Sequence, residues 1–341
     1  MKAIKAFAIT LIVILVFLAT GCTANSGEKI VFGTFYNIQL KGRSSRSVLK
    51  DVESLLIEIE NQTSTVIEGS DIYKINRATA NHPIEIGHHT YELFKASTEL
   101  YDITDGAFNP AVYPLVELWN FSPDKFSFDI DTLPEHADIM SVLEYSNLEF
   151  FELDENNMTL TKSHNKAKLD FGGIAKGYVV DLIKERVEDM KEGLISIGGD
   201  ILPLSKTANI GITHPRQSGL FGVVKLNNLA ISTSGDYERY YMIENTRYSH
   251  IMDYSGHPAS INNHDIISAS VIGESAMFCD ALATSVIVNG LEWAAENIEN
   301  LGYKALLIRQ NTNNHEQRYF NKIGNIDFES RQSDYEQHIY P

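Results

Sequence analysis

The chain has 341 residues, with 45 acidic and 28 basic side chains and a formal charge of −17 when histidine is neutral. Because neutralising nucleic-acid phosphates needs a basic surface, this charge argues against a nucleic-acid binder. Hydrophobic residues make up 43% and charged residues 21%, as in ordinary globular proteins, so most of the chain is not disordered.

The first 21 residues have the features of an export signal rather than of the fold. Lysines precede a nearly pure apolar run from residue 6 to 19, which is short for a membrane span, and small residues then lead into Cys22. We predict a lipoprotein-type signal peptide over 1–21, lipidation of Cys22, and a lipidated cysteine with its tether over 22–29. The alternative is a soluble secreted protein with an incidental cysteine.

Helices and strands alternate along the rest of the chain without a composition shift that would mark a linker. Apolar periodicity and turn residues predict, in chain order, a strand over 30–40 with an irregularity at Gly33, helices over 45–60 and 89–101, a structured loop with short helical pieces over 104–121, a small helix over 140–145, a hairpin over 150–161, a strand end at 169 with a helix to 190, strands over 194–202 and 210–213, a hairpin over 222–232, and a helix over 279–289 closed by Gly290. This order favours one α+β domain over 30–341 rather than a doubly wound parallel sheet.

The segment 170–178 places an acid, two glycines and a lysine where a strand ends and a helix begins. Glycines allow a ligand to approach the backbone closely, and a helix N-terminus attracts phosphate. The spacing fits neither a Walker loop nor a GxGxxG fingerprint. A tight turn with an exposed lysine is the alternative interpretation.

Asp280 and Thr284 are four residues apart and share one face of a predicted helix. A carboxylate and a hydroxyl there can bind a hard cation such as Mg²⁺, although an aspartate and a threonine with local hydrogen bonds would show the same pattern. Polar clusters at 197–201, 231–238 and 249–253 could each be only a turn. His250, near the start of the last cluster, is the histidine that we single out as a candidate functional residue. No histidine or cysteine cluster has zinc spacing.

The order of these segments is more specific than any one of them. Together they resemble the ApbE family of FAD:protein FMN transferases, through the stretches 32–35, 106–110, 115–119, 170–178, 198–200, 232–238, 250–253 and 280–284. The resemblance runs from about residue 30 to about residue 310. It implies a single mixed α+β domain related to the T-fold, an FAD site, and one or two Mg²⁺ ions.

The resemblance also implies roles for individual residues. Asp280 and Thr284, with the backbone carbonyl of Gly173, would bind Mg²⁺, and His250 would be the catalytic histidine. The residues expected to line the FAD site are Phe32, Ala107, Phe108, Asn109, Asp170, Lys176 and Ile251. The sequence departs from the family pattern at Phe32, Val66, Asn109 and Tyr254.

The implied reaction is transfer of FMN from FAD to a threonine or serine hydroxyl of another protein, with release of AMP. Positioning and charge neutralisation dominate such phosphoryl transfer, and a histidine can act as general base for a hydroxyl. We expect a membrane-associated redox subunit as acceptor, and a lipid-anchored enzyme on the extracytoplasmic face of a bacterial membrane. Two alternatives stay open: a Mg²⁺-dependent FAD pyrophosphatase that releases FMN and AMP, and a non-catalytic flavin-binding lipoprotein.

Overall fold

The computed structural model describes residues 25–42, 44–126, 130, 132–261, 265–310 and 318–338. The predicted signal peptide and Cys22 lie outside these residues. In chain order the strands and helices are β1 (Asn25–Val31), β2 (Thr34–Leu40), α1 (Ser45–Thr63), α2 (Asp71–Arg77), β3 (Ile84–Glu85), α3 (His88–Ile103), α4 (Tyr113–Leu118), α5 (His136–Leu143), β4 (Phe151–Asp154), β5 (Thr159–Lys162), α6 (Ala175–Arg186), β6 (Gly193–Ile197), β7 (Asp200–Pro203), β8 (Ala208–Thr213), β9 (Leu220–Leu226), β10 (Ala230–Gly235), β11 (Tyr240–Ile243), β12 (Thr246–Ser249), β13 (Ile266–Gly273), α7 (Ala276–Asn297), β14 (Lys304–Gln310), β15 (Arg318–Ile323), β16 (Phe328–Ser330) and β17 (Glu336–Gln337).

A sheet with the strand order β1-β2-β6-β7-β10-β13-β14-β15-β17 organises the domain. Its described pairs are antiparallel except for β15 with β17. Both faces are covered, because alternate residues of β14 belong to different cores: Ala305 and Leu307 join the core that includes α6 and α7, and Leu306 and Ile308 join the core that includes β8 and β9. The mixed α+β single-domain prediction is therefore confirmed.

Several predicted elements are confirmed close to their expected bounds. Helices α1 and α3, the β4–β5 hairpin and strand β8 lie where the periodicity placed them. The segment 104–121 holds a short 3-10 helix (Pro110–Val112) and α4, as its prolines indicated. Among the described residues, no helix combines the length and the apolar character that a bilayer span requires.

Two predicted single strands are wrong because each is a hairpin. The chain reverses at Phe32 and Gly33, whose φ angles are 52° and 68°, and again at Gly198 and Gly199, whose φ angles are 53° and 101°. Successive residues with positive φ build the tight turns whose twist matches that of paired strands. The predicted strands over 30–40 and 194–202 therefore become β1–β2 and β6–β7.

The predicted hairpin over 222–232 is also wrong. Strand β9 pairs with β8 and β16, whereas β10 pairs with β7 and β13 in the large sheet. The connection, with Asn228 at φ 51°, carries the chain between two sheets that share one core. Strands β9 and β10 carry similar apolar patterns. Local sequence therefore could not show whether they pair with each other or with different strands.

Other boundaries differ in ways that matter for the site. Gly290, at φ 88°, has a non-helical backbone that closes the predicted helix, and a second helical segment follows it to Asn297. Helix α5 begins earlier than predicted and α6 ends earlier. Helix α2 and the β11–β12 hairpin were not predicted. Strand β1 begins at Asn25, inside the stretch assigned to the tether.

Candidate functional site

A lysine held between two carboxylates lies at the centre of the site. The Lys176 ammonium is 2.9 Å from each carboxylate oxygen of Asp280 and donates to the Gly172 carbonyl at 3.2 Å. It is also 3.7 Å from Asp200 Oδ2. Burial alone would lower the pKa of Lys176, but the two carboxylates outweigh it and raise the pKa, so the ammonium stays charged. We call Lys176, Asp200 and Asp280 the lysine–aspartate centre.

The packing of α6 against α7 brings these side chains together. The Asp181 carboxylate on α6 accepts hydrogen bonds from Ser275 Oγ at 2.7 Å and from the N–H groups of Ala276 and Met277 at 2.8 and 3.0 Å. It thus caps the α7 N-terminus, where a negative charge is favourable. A Cβ added to Gly177 would lie 2.2 Å from the Ala276 carbonyl oxygen, so only glycine allows this close approach.

Thr284 lies one turn beyond Asp280 on α7, on the same side of the helix as predicted. Its hydroxyl is 3.0 Å from Ser234 Oγ on β10. Nearby, Asp200 is 1% exposed and its Oδ2 atom has no hydrogen-bond partner among the described residues. Burial and the nearby Asp280 carboxylate raise the pKa of Asp200 well above its ordinary value, and a bound cation would oppose that rise.

The residues Asp170–Gly173, which we call the 170–173 loop, connect the end of an extended segment to α6. The Asp170 N–H donates to the Pro110 carbonyl at 3.0 Å, and Asp170 Oδ1 accepts from the Gly172 N–H at 3.1 Å. Burial raises the pKa of Asp170, and the Gly172 N–H and the charges of Arg239 and Lys176 oppose that rise. The predicted FAD residues Asp170 and Lys176 therefore flank one loop.

The turn Ala107–Asn109 packs against this loop. A Cβ added to Gly173 would lie 3.4 Å from the Phe108 ring, and Ala107 and Phe108 are buried. Asn109 instead uses its side chain within the protein: Oδ1 caps the 3-10 helix, and Nδ2 donates to the Ser146 carbonyl at 3.0 Å. We therefore expect Asn109 to shape the turn rather than to bind a ligand with its side-chain amide.

Phe32 lies at the tip of the β1–β2 hairpin, and its N–H donates to Glu60 Oε1 at 2.8 Å. Thr34, the first residue of β2, and the Lys176 side chain both approach Gly198 in the β6–β7 turn. A Cβ added to Gly198 would lie 2.6 Å from Thr34 Cγ2 and 3.0 Å from Lys176 Cδ. The hairpin thus packs over the β6–β7 turn that supplies Asp200.

His250 follows β12 and lies close enough to Lys176 for that charge to affect its pKa. Its Nδ1 is 3.2 Å from the Arg239 carbonyl oxygen, which can only accept, so Nδ1 carries a proton and Nε2 keeps its lone pair. Burial, with the charges of Arg239 and Lys176, lowers the pKa of His250 to about 4. The Phe121 ring packs edge-on against the imidazole with centroids 6.4 Å apart, and Ile251 is buried behind it.

A pocket of about 360 Å³ includes Lys168, which lies two residues before the 170–173 loop in the chain. It is large enough for part of a nucleotide. The Arg77 guanidinium lies 3.5 Å above the Tyr73 ring, and Lys168 pairs with Glu117 at 2.5 Å. The lining residues are Thr65, Val66, Tyr73, Asn76, Arg77, Tyr113, Glu117, Asp124 and Lys168.

Sequence reasoning missed several residues that build the site. Asp200 and Ser234 lie in polar clusters that the sequence did single out, but nothing local distinguished their side chains from turn formers. Arg239 supplies the acceptor that fixes the His250 tautomer through a backbone atom, which no side-chain pattern can show. Asp181 acts between two helices that are far apart in the chain. Among the described residues, no group of three or more His, Cys, Asp or Glu side chains forms a metal cluster.

The fold and the site define a single-domain α+β protein with a buried lysine–aspartate centre at the start of α6 and a pocket of about 360 Å³ that includes Lys168. Residues 32–307 match the sequence profile of the ApbE family, and the chain belongs to that family. The match spans every site residue described above.

Known relatives agree with this assignment. The chain is 30% identical over 274 residues to the FAD:protein FMN transferase of Vibrio cholerae, which covers 76% of this chain and 80% of that protein. It is 25% identical over 305 residues to the enzyme of the same name from Escherichia coli K12, covering 85% of each chain. The solved flavin transferase ApbE from Vibrio cholerae superposes with a TM-score of 0.76 at 26% identity, covering 89% of this chain and 97% of that one. The ApbE protein of Thermotoga maritima gives a TM-score of 0.76 at 28% identity, covering 84% and 94%.

Proposed function

We propose that this protein transfers FMN from FAD to a threonine or serine hydroxyl of an acceptor protein, with release of AMP. The observation that carries the proposal is the His250 imidazole, held in one tautomer by the Arg239 carbonyl, in a family whose relatives are named for this activity. A hydroxyl is a weak nucleophile, and a neutral imidazole with a free Nε2 can accept its proton.

The pocket and the 170–173 loop suit a dinucleotide substrate. The pocket offers aromatic rings and cationic side chains and includes Lys168, just before the loop, and the lysine–aspartate centre includes Lys176, just after it. A substrate that spans the loop would place its pyrophosphate near Lys176 and the start of α6. The ammonium and the helix N-terminus would then stabilise the negative charge of the phosphates.

The donor atoms of the centre fit a hard divalent cation. Asp280 and Thr284 lie one turn apart on α7, the Thr284 hydroxyl is 3.0 Å from Ser234 Oγ, and Oδ2 of Asp200 has no hydrogen-bond partner among the described residues. Oxygen donors of this kind suit Mg²⁺. We propose Asp280, Thr284 and the Gly173 carbonyl as its ligands. Bound there, Mg²⁺ would supply Lewis-acid stabilisation of the pyrophosphate.

The remaining work falls to residues of the chain itself. His250 Nε2 would take the proton of the acceptor hydroxyl as that oxygen bonds to the FMN-side phosphorus. The bond from this phosphorus to the oxygen bridging it to AMP would break, and AMP would leave with that oxygen. Lys176 would hold the phosphates, and the Phe32 hairpin and the 107–109 turn would limit access of water.

We further propose that the enzyme is lipidated at Cys22 and acts on the extracytoplasmic face of a bacterial membrane on a membrane-associated redox subunit. The support is the apolar run with its small residues before Cys22 and the short distance to the folded domain, since β1 begins at Asn25. A domain attached this closely would meet acceptors at the membrane surface.

The decisive experiment incubates the purified protein with FAD, Mg²⁺ and candidate acceptors, followed by mass spectrometry of the acceptors. Covalent FMN on a threonine or serine, with AMP in equal amount, supports transfer. Release of free FMN and AMP without an acceptor adduct would indicate a pyrophosphatase. FAD binding with neither product would indicate a non-catalytic flavin-binding protein.

A further inference from the structure

A buried lysine outside the lysine–aspartate centre makes an unusual set of contacts. Lys162, the last residue of β5, is 1% exposed. Its ammonium donates to the backbone carbonyls of Asn76 at 3.0 Å, Asn165 at 3.1 Å and Ala167 at 3.0 Å. All three protons of the ammonium are therefore used on main-chain oxygens.

Asn76 extends this network to the 170–173 loop. Its side-chain amide donates to the Leu169 carbonyl at 2.8 Å, and its Oδ1 accepts from the Leu169 N–H at 2.7 Å. The Asn76 side chain thus makes the two hydrogen bonds to the Leu169 backbone that a neighbouring strand would make in a β-sheet. Asn76 lies near the end of α2, and its own carbonyl is one of the three that Lys162 binds.

Together these contacts fix the residues that lead into the loop. Lys162 holds positions 165 and 167, Asn76 holds position 169, and the Asp170 N–H is bound by Pro110. We propose that Lys162, acting through Asn76, is a positioning residue that sets the conformation of the 170–173 loop and thereby the affinity for FAD. This inference rests on the proposed function, because it assigns FAD to that loop.

The chemistry of Lys162 supports a positioning role over simple core filling. Burial, with a smaller effect of Lys168, lowers the pKa of Lys162 to about 8, so the fold bears the cost of a buried charge. An apolar side chain of similar length would fill the same volume without that cost. What the ammonium adds is a single point at which the Asn76 carbonyl of α2 and the two carbonyls of the 165–167 segment must converge.

The test compares Lys162→Met with Lys166→Met, a change of the same chemistry at an exposed position of the same segment. FAD binding is measured by quenching of flavin fluorescence. We expect the dissociation constant to rise roughly tenfold in Lys162→Met, as for the loss of one buried polar contact, and to stay unchanged in Lys166→Met. Unchanged FAD affinity in a folded Lys162→Met protein would overturn the proposal.

A general loss of stability must be separated from a local effect. Val224→Ala removes buried apolar volume in the core on the opposite face of the sheet, far from the loop. A variant that lowers the melting temperature as much as Lys162→Met but binds FAD normally shows that the effect of Lys162 is local. Equal weakening of FAD binding in both variants would show that Lys162 affects FAD only through the overall stability of the protein.

Hydrogen exchange provides a readout that needs no FAD. We expect the amides of Asp170, Gly172 and Ile174 to exchange roughly tenfold faster in Lys162→Met while those of β13 are unchanged. If Lys162→Met does not fold, Asn76→Asp replaces it, since a carboxylate keeps the acceptor for Leu169 and loses the donor. Parental exchange at these amides in the folded variant refutes the role of Lys162. If the parent protein binds no FAD, the proposed function is wrong. The hydrogen-exchange result then still tests whether Lys162 sets the conformation of the 170–173 loop.

Discussion

Protonation of His250 offers a direct test of the site geometry. The imidazole sits between the Arg239 carbonyl and the Phe121 ring, and its burial lowers the pKa from 6.5 to about 4. We therefore expect His250 to be neutral, and able to accept a proton, over the whole range from about pH 5 upward. An ordinary histidine would already be half protonated near pH 6.5.

The same shift predicts a dependence of stability on pH. Because the pKa of the folded state lies below that of the unfolded state, the unfolded chain binds the proton first as the pH falls. Stability contributed by neutral His250 is therefore present above pH 6.5 and is lost as the pH falls toward about 4. The loss between pH 7 and pH 4.5 amounts to about 2 to 3 kcal/mol from this single group.

Two measurements follow from this prediction. Proton–carbon NMR of the histidine rings gives the His250 pKa, with the resonance assigned by its disappearance in His250→Asn. Urea unfolding at pH 7 and pH 4.5 then compares the parent with His250→Asn, which should lose about 2 to 3 kcal/mol less over that interval. His257→Asn is the control for replacing a histidine by asparagine outside the proposed machinery.

A measured His250 pKa near 6.5 would refute the buried, hydrogen-bonded geometry. Equal pH dependence in the parent and His250→Asn would refute the stability argument even if the pKa were low. In the transfer assay, His250→Asn should lose about 10²- to 10⁴-fold in rate while it still binds FAD. Loss of FAD affinity with normal turnover at saturation would make His250 a binding residue.

Three further predictions concern the metal, the helix contact and the lipid. Asp280→Ala should abolish transfer in Mg²⁺ without unfolding the protein, and Thr284→Val should be milder, because a neutral hydroxyl contributes less charge stabilisation; equal losses in the acceptor assay would point to a structural role. Asp181→Ala should lower the free energy of unfolding by about 2 to 4 kcal/mol in urea, since three donors at the start of α7 lose their acceptor, and Asp181→Asn should restore part of it. Cys22→Ser should release an active enzyme from the membrane fraction in cells, and a variant that stays bound after a high-salt wash would contradict lipidation.

Local sequence predicted the fold where one segment determines its own structure. Helix α1 carries apolar residues at helical spacing along 19 residues, and its bounds were nearly correct. The failures are turns and pairings. Phe32 at φ 52° is an unusual residue for a left-handed turn, so the β1–β2 reversal left only Gly33 as a signal. The sheet that β9 joins depends on strands far away in the chain. The residue pattern of a strand does not specify its partner.

The site was predictable to the extent that its motifs occur in a recognisable order. Asp170, Lys176 and Asp280 are parts of short stretches that are weak alone, and the structure places them around one loop and one ion pair. Asp181 and Lys162 could not be found this way. Each acts by binding backbone atoms of another segment, and such contacts exist only after the chain has folded.

The ion pair of the lysine–aspartate centre bears on the metal and the lysine proposed there. Lys176 is paired with Asp280, while burial and the neighbouring Asp280 carboxylate raise the pKa of Asp200 well above its ordinary value. A pyrophosphate brought to this centre would therefore meet an ammonium already engaged by a carboxylate. With a divalent cation bound to Asp280, the ammonium could give up that carboxylate and neutralise phosphate oxygen instead. On this reasoning FAD affinity should depend on Mg²⁺ in the parent protein and lose much of that dependence in Asp280→Ala, and titrations of FAD with and without Mg²⁺ would show whether it does.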